Sequence, residues 1–92
     1  MSYSVYILEC ADSTLYTGST HNLAKRLYAH NALKAGAKYT RARRPATLVY
    51  AEELATLAEA RKREAEIKRL TRREKSDLIK GRIIVKKKGK KN

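Results

Sequence analysis

Two runs of β-branched and aromatic residues lie close together at the start of the chain, separated by a short polar break. They constrain the fold more than any other feature. Residues 3–10 read Tyr-Ser-Val-Tyr-Ile-Leu-Glu-Cys, residues 14–17 read Thr-Leu-Tyr-Thr, and Ala11-Asp12-Ser13 lies between. Such side chains suit a pleated, half-buried backbone. The break leaves room only for a tight reversal, so the two runs read as a hairpin whose second strand ends at Gly18. A two-residue loop would set Tyr6 and Tyr16 on opposite faces, and a three-residue loop would set them on one face. The glycine such a turn usually carries is absent, so local sequence leaves both loops open.

A third strand is predicted from Ala46 to Glu52, with Leu48 and Tyr50 on one face and Thr47 and Val49 on the other. Thr20 or Asn22 can cap a helix over 22–34 that buries Leu23, Leu27 and Leu33 and stops at Gly36. The basic stretch 38–44 reads as a further short helix stopped by Pro45, with Arg44 pushed toward extended backbone by that proline. Residues 55–70 hold strong helix formers without glycine or proline. Thr71 and Glu74 have capping-box spacing for a last helix to about Lys80, stopped by Gly81. The order is β-β-α-α-β-α-α, an α+β domain. Three short strands cannot bury both faces of their own sheet, so helices must pack on it.

Ninety-two residues suit one domain, expected over 1–80, followed by a lysine-rich tail over 81–92 that lacks the apolar content to order itself alone. Lys and Arg number 22 against nine Asp and Glu. Seven of the 22 fall in the last thirteen positions, yet the rest of the chain is still basic. A polyanion is the indicated partner, because lysine and arginine displace the counterions condensed on phosphates. An anionic membrane surface fits less well, since the basic residues are not confined to one amphipathic helix. Cys10 is the only cysteine, which excludes an intrachain disulfide and argues against a disulfide-linked partner. The N-terminal apolar run is too short for a leader or a membrane span, and a cytoplasmic protein is expected.

Leu57, Ala60, Glu64 and Ile67 share one face of the long helix, which puts a carboxylate in an apolar stripe. A buried carboxylate needs compensation, from a metal, hydrogen bonds or a cation. Lys68, four residues on, could supply the cation as an ordinary helix pair. Arg26 and His30 are also four apart; a guanidinium suits a phosphate and an imidazole can accept a proton near neutral pH, although both could be ordinary surface or core residues. No Cys-x-x-Cys pair, His/Cys cluster, glycine-rich phosphate loop or serine-triad signature offers a different chemistry.

Taken together, Ser4-Val5-Tyr6 and Tyr16-Thr17-Gly18 resemble the paired tripeptides that name the GIY-YIG nuclease superfamily. Residues 22–27, Asn-Leu-Ala-Lys-Arg-Leu, look like the arginine-bearing helix of that family, and residues 59–68 resemble the helix with its metal-binding glutamate. The likeness spans about residues 3–80 and is closest to small bacterial members, similar to the nuclease domains of excision-repair enzymes. It implies a three-stranded antiparallel sheet flanked by helices, and a metal-dependent endonuclease cutting DNA phosphodiester bonds in repair or recombination. Carried over by position, it makes Tyr6, Tyr16, Arg26, His30 and Glu64 catalytic, with Glu64 binding Mg2+ or Mn2+ and Tyr6 or His30 accepting a proton from water. The two tyrosines should then share a face, which favours the odd-length loop, and Gly18 would allow close backbone approach. Lys38, Arg41, Arg43, Arg44, Lys86, Lys87 and Lys88 would hold flanking nucleic acid, DNA first and structured RNA second. Many members carry an asparagine some twelve residues after the glutamate; Lys75, Ser76 and Asp77 stand there instead. The alternative implied is a module on the same fold that binds DNA or RNA without cutting it.

Overall fold

The computed structural model describes residues 2–32 and 42–81. Its first strands, β1 (Tyr3–Glu9) and β2 (Leu15–Thr20), form the antiparallel hairpin. Helix α1 (Leu23–Ala32) follows, then β3 (Thr47–Leu54), α2 (Leu57–Lys68) and α3 (Arg72–Ile79). The sheet order is β2-β1-β3, with β1 antiparallel to both neighbours. The expected α+β architecture with a three-stranded antiparallel sheet is therefore present. The short helix expected over 38–44 falls mostly outside the described residues, and Ala42 and Arg43 form a turn.

The hairpin closes through a three-residue loop. Cys10 N–H donates to Thr14 O (2.9 Å), and Ser13 N–H donates to Cys10 O (2.8 Å). Ser13 occupies the left-handed region at φ 70°, where glycine is the usual choice. Asp12 holds the turn in place of a glycine's freedom: its Oδ1 accepts from Thr14 N–H (3.1 Å) and Thr14 Oγ–H (2.6 Å). Leu8 thus faces Tyr16 and Tyr6 faces Gly18, so both tyrosines lie on one face. The second strand does not stop at Gly18 as its composition suggests; it runs on to Thr20.

Two helical layers cover the sheet. On one face Tyr6, Leu8 and Cys10 pack with Ala46, Tyr16, Leu48 and the α1 residues Leu23 and Leu27. On the other, Val5 and Ile7 pack with Ala60, Ile67 and Leu78 from α2 and α3. Leu57, placed at the head of the buried stripe by its spacing, is instead 41% exposed, because it lies in the first turn of α2 beyond the packed region. Leu48 and Tyr50 were expected on one face, yet Leu48 packs toward α1 and Tyr50 toward α2. The β1–β3 register explains this: Ile7 pairs with Tyr50 while Leu8 pairs with Leu48, and the extra residue is a β-bulge that breaks the alternation. Thr71 and Glu74 form the predicted capping box, and Gly81 ends α3 at φ 85°.

Candidate nuclease site

The hairpin and α1 together place four of the sequence-predicted residues. Tyr6 is 2% exposed and its hydroxyl lies 2.9 Å from His30 Nε2, itself wholly buried. Tyr16 completes an aromatic triangle, its ring centroid 5.1 Å from that of His30 and 6.5 Å from that of Tyr6. The triangle requires Gly18. A methyl group at that position would lie 2.6 Å from the Tyr6 hydroxyl oxygen and 3.2 Å from the Tyr16 ring. Gly18 therefore serves close approach of the Tyr6 side chain across the hairpin. Arg26, one turn before His30, is exposed and has no carboxylate partner among the described residues. With Thr20, His21, Asn22, Lys25 and Ala29 it lines a groove of about 240 Å³ at the start of α1.

Glu64 reaches the site from the other side of the sheet. Ser19, opposite Val5 in register, donates its Oγ–H to Glu64 Oε1 (2.6 Å). Lys68 Nζ lies 2.9 Å from Oε2. The tyrosines, Arg26 and Glu64 thus do not line one face. Glu64 stands across edge strand β2 from the aromatic triangle, because α2 packs on the opposite layer. Its charge is still felt through that edge: it adds to the upward shift of Tyr6. Tyr16 in turn favours the charged form of Lys68, after the larger effect of the Glu64 hydrogen bond. Spacing allowed the Glu64–Lys68 pair; the Ser19 contact was missed, and the signal for it is that residue 19 has the opposite strand parity to Gly18.

The electrostatics distinguish donors from acceptors. Burial pushes the Tyr6 phenol well above its usual range, reinforced by Tyr16 and Glu64 and partly opposed by Arg26. Tyr6 by itself is thus a poor base, since its phenolate is disfavoured. Burial, with the Arg26 and Arg44 charges, holds His30 below its ordinary value, so the imidazole is neutral at neutral pH. Burial alone would raise Glu64, but the Ser19 and Lys68 hydrogen bonds and the charges of Lys68 and Arg61 bring it below the usual carboxylate range. It is therefore an anion at neutral pH.

Among the described residues no cluster of three or more His, Cys, Asp or Glu side chains could hold a metal ion. The donor chemistry nonetheless fits Mg2+ or Mn2+: an ionised carboxylate offers hard oxygens, and such ions commonly take one or two carboxylates and complete their shell with water and phosphate oxygens.

Two expected nucleic-acid contacts are engaged within the protein. Arg43 pairs with Asp12 (3.0 Å), bracing the hairpin loop. Arg44 donates from Nε to His30 O (2.6 Å) and from Nη2 to Ala29 O (3.3 Å), tying the β3 approach to α1. Lys38, Arg41, Lys86, Lys87 and Lys88 lie outside the described residues. No helix among the described residues is long and apolar enough to cross a membrane.

Residues 2–77 match the model of the GIY-YIG catalytic domain. The chain is 58% identical over 76 residues to a UPF0213 protein from Syntrophus aciditrophicus, covering 83% of this chain and 87% of that protein. A UPF0213 protein from Clostridium perfringens is 54% identical over 84 residues, covering 91% and 88%. The solution NMR structure of a protein from E. faecalis is similar at a TM-score of 0.61 and 41% identity, over 88% of this chain and 85% of that one. Motif residues, sheet order and matched span agree: the chain belongs to the GIY-YIG family, a family of nucleases, beside the UPF0213 proteins of bacteria.

Proposed function

We propose that this domain is a divalent-metal-dependent endonuclease that hydrolyses phosphodiester bonds of DNA, in repair or recombination. The observation that carries the reading is the buried hydrogen bond between Tyr6 and a neutral His30, set beside the Arg26 guanidinium, which has no carboxylate partner among the described residues, with an ionised glutamate across the strand edge. A structural tyrosine–histidine pair would not need at its side an arginine that has no carboxylate partner among the described residues.

Arg26, fixed on α1, binds the scissile phosphate and stabilises the charge that grows on it in the transition state. Groove residues Lys25 and His21 hold the adjoining backbone. The Glu64 carboxylate would hold the metal, with Ser19 orienting it through Oε1. When bound, Mg2+ or Mn2+ acts as a Lewis acid on the phosphate and activates water. The proton leaves through a relay: as the attacking water gives its proton to Tyr6 Oη, the phenolic proton passes to His30 Nε2. This requires the neutral imidazole tautomer protonated on Nδ1. The relay removes the need for a stable phenolate, which burial of Tyr6 disfavours. The departing 3′ oxygen takes its proton from solvent.

The test is a cleavage panel of single strands, flaps, forks and RNA hairpins with Mg2+ or Mn2+. Cleavage should be lost in Glu64→Ala and Arg26→Ala, with DNA binding retained in Glu64→Ala. One observation favours a second reading, a binding module without cleavage: Lys68 already neutralises Glu64. Salt-sensitive binding with no metal-dependent cleavage of any substrate would select that module and defeat the enzyme.

A further inference from the structure

Resting on the metal assignment above, we propose that the Lys68 ammonium is a resident counter-ion at Glu64, which a divalent cation must displace and which a nucleic-acid phosphate then receives. Both carboxylate oxygens already have a partner, but the partners differ in kind. Ser19 brings a neutral hydroxyl to Oε1, and a carboxylate oxygen that accepts one such bond still has a lone pair for a metal. Lys68 brings a full positive charge to Oε2 at 2.9 Å. A cation bound to Oε2 would stand within about 5 Å of that ammonium. Even at the dielectric constant of water, a single and a double positive charge at that separation repel enough to lower affinity about tenfold.

The lysine is built to leave. Its side chain is 55% exposed, whereas that of Glu64 is 21% exposed, so the ammonium can swing outward while the carboxylate stays. Lys68 occupies the last turn of α2, and its charge senses Tyr16 from across β2. The displaced ammonium therefore starts one strand away from the aromatic triangle, across the β2 edge that a phosphate bound at Arg26 would approach. Metal and nucleic acid should then help one another: the metal frees the lysine and the polyanion accepts it. Coupling of this kind is reciprocal between the two ligands.

The experiment is titration of the full chain with Mn2+, followed by electron paramagnetic resonance and calorimetry, without nucleic acid and with a DNA duplex in Ca2+-free buffer. Lys68→Met and Lys68→Gln should bind Mn2+ about threefold to tenfold more tightly than the parent without DNA. They should also lose most of the gain in Mn2+ affinity that DNA gives the parent. Lys68→Arg, which keeps the charge, should bind no more tightly than the parent. Thermal melts confirm that each variant is folded, as the exposure of Lys68 leads one to expect. Equal or weaker Mn2+ binding by folded Lys68→Met overturns the proposal. Glu64→Gln separates this failure from failure of the underlying reading: Mn2+ binding that survives Glu64→Gln sinks the metal assignment itself.

Discussion

The two faces of the sheet are built from adjacent residues of the same strand yet obey different rules. Val5 and Ile7 look toward α2 and α3 and meet Ala60, Ile67 and Leu78, an aliphatic contact beside which the buried Thr17 is the polar residue paired with Ile7. Tyr6 and Leu8 look toward α1, and there a phenol and an imidazole are buried together. Burying those polar groups costs free energy unless each finds a partner, so this face depends on hydrogen-bond geometry as well as on volume. The aliphatic face tolerates any well-packed apolar set. The polar face accepts few substitutions, because Gly18 must stay bare for the Tyr6 hydroxyl to pass. The first face holds the domain together, and the second carries Tyr6, Tyr16, Arg26 and His30, four of the five residues proposed for catalysis.

If that division is right, Ile67→Ala should be the most damaging change to stability. Removing a fully buried isoleucine should cost about 2–5 kcal/mol, read from urea unfolding. The protein that remains folded should cleave with unchanged metal dependence. Gly18→Ala attacks the other face. The added methyl meets the Tyr6 hydroxyl at 2.6 Å, and overpacking of this kind costs about 1–3 kcal/mol. Unlike Ile67→Ala, it should abolish cleavage in the folded fraction by displacing Tyr6 from His30. An active Gly18→Ala would erase the distinction between the faces.

Tyr6→Phe sharpens the comparison, since it keeps volume and deletes only the hydroxyl. It should cost about 1–3 kcal/mol by leaving a buried histidine nitrogen without that partner, and lower the cleavage rate about 10²-fold or more. Thr71→Ala, remote from both faces, should cost about 1 kcal/mol through loss of the α3 cap, with cleavage unchanged. The mildest effect belongs to pH. His30 is held below its ordinary value, so between its folded value and about 6.5 the unfolded chain binds more protons than the folded one. Stability should therefore rise with pH through that window and fall on acidification. Urea midpoints at pH 5 and pH 7.5 should differ less in His30→Gln. Glu64 and Asp12, both lowered, lose their contribution only at more acid pH and do not mimic this slope.

Much of the molecule could be read in one dimension because the relevant physics is local. The capping box at Thr71 and Glu74, the uninterrupted helix formers of α2 and the β-rich hairpin runs act within a few residues, and each forms the element its pattern implies. The paired tyrosines, Arg26, His30 and Glu64 were legible only because their order matches a family pattern; spacing alone left each with an ordinary explanation. Other decisions belonged to the assembled fold. The bulge that sends Leu48 and Tyr50 to different faces is a property of strand pairing. Arg43 and Arg44 bind Asp12 and α1 because the fold brings those acceptors to them, where charge alone pointed outward to nucleic acid. Ser19 and Glu64 are 45 residues apart and meet because α2 packs beneath the edge of β2. Short-range propensities act between chain neighbours, whereas a hydrogen bond between distant residues exists only after the layers have packed.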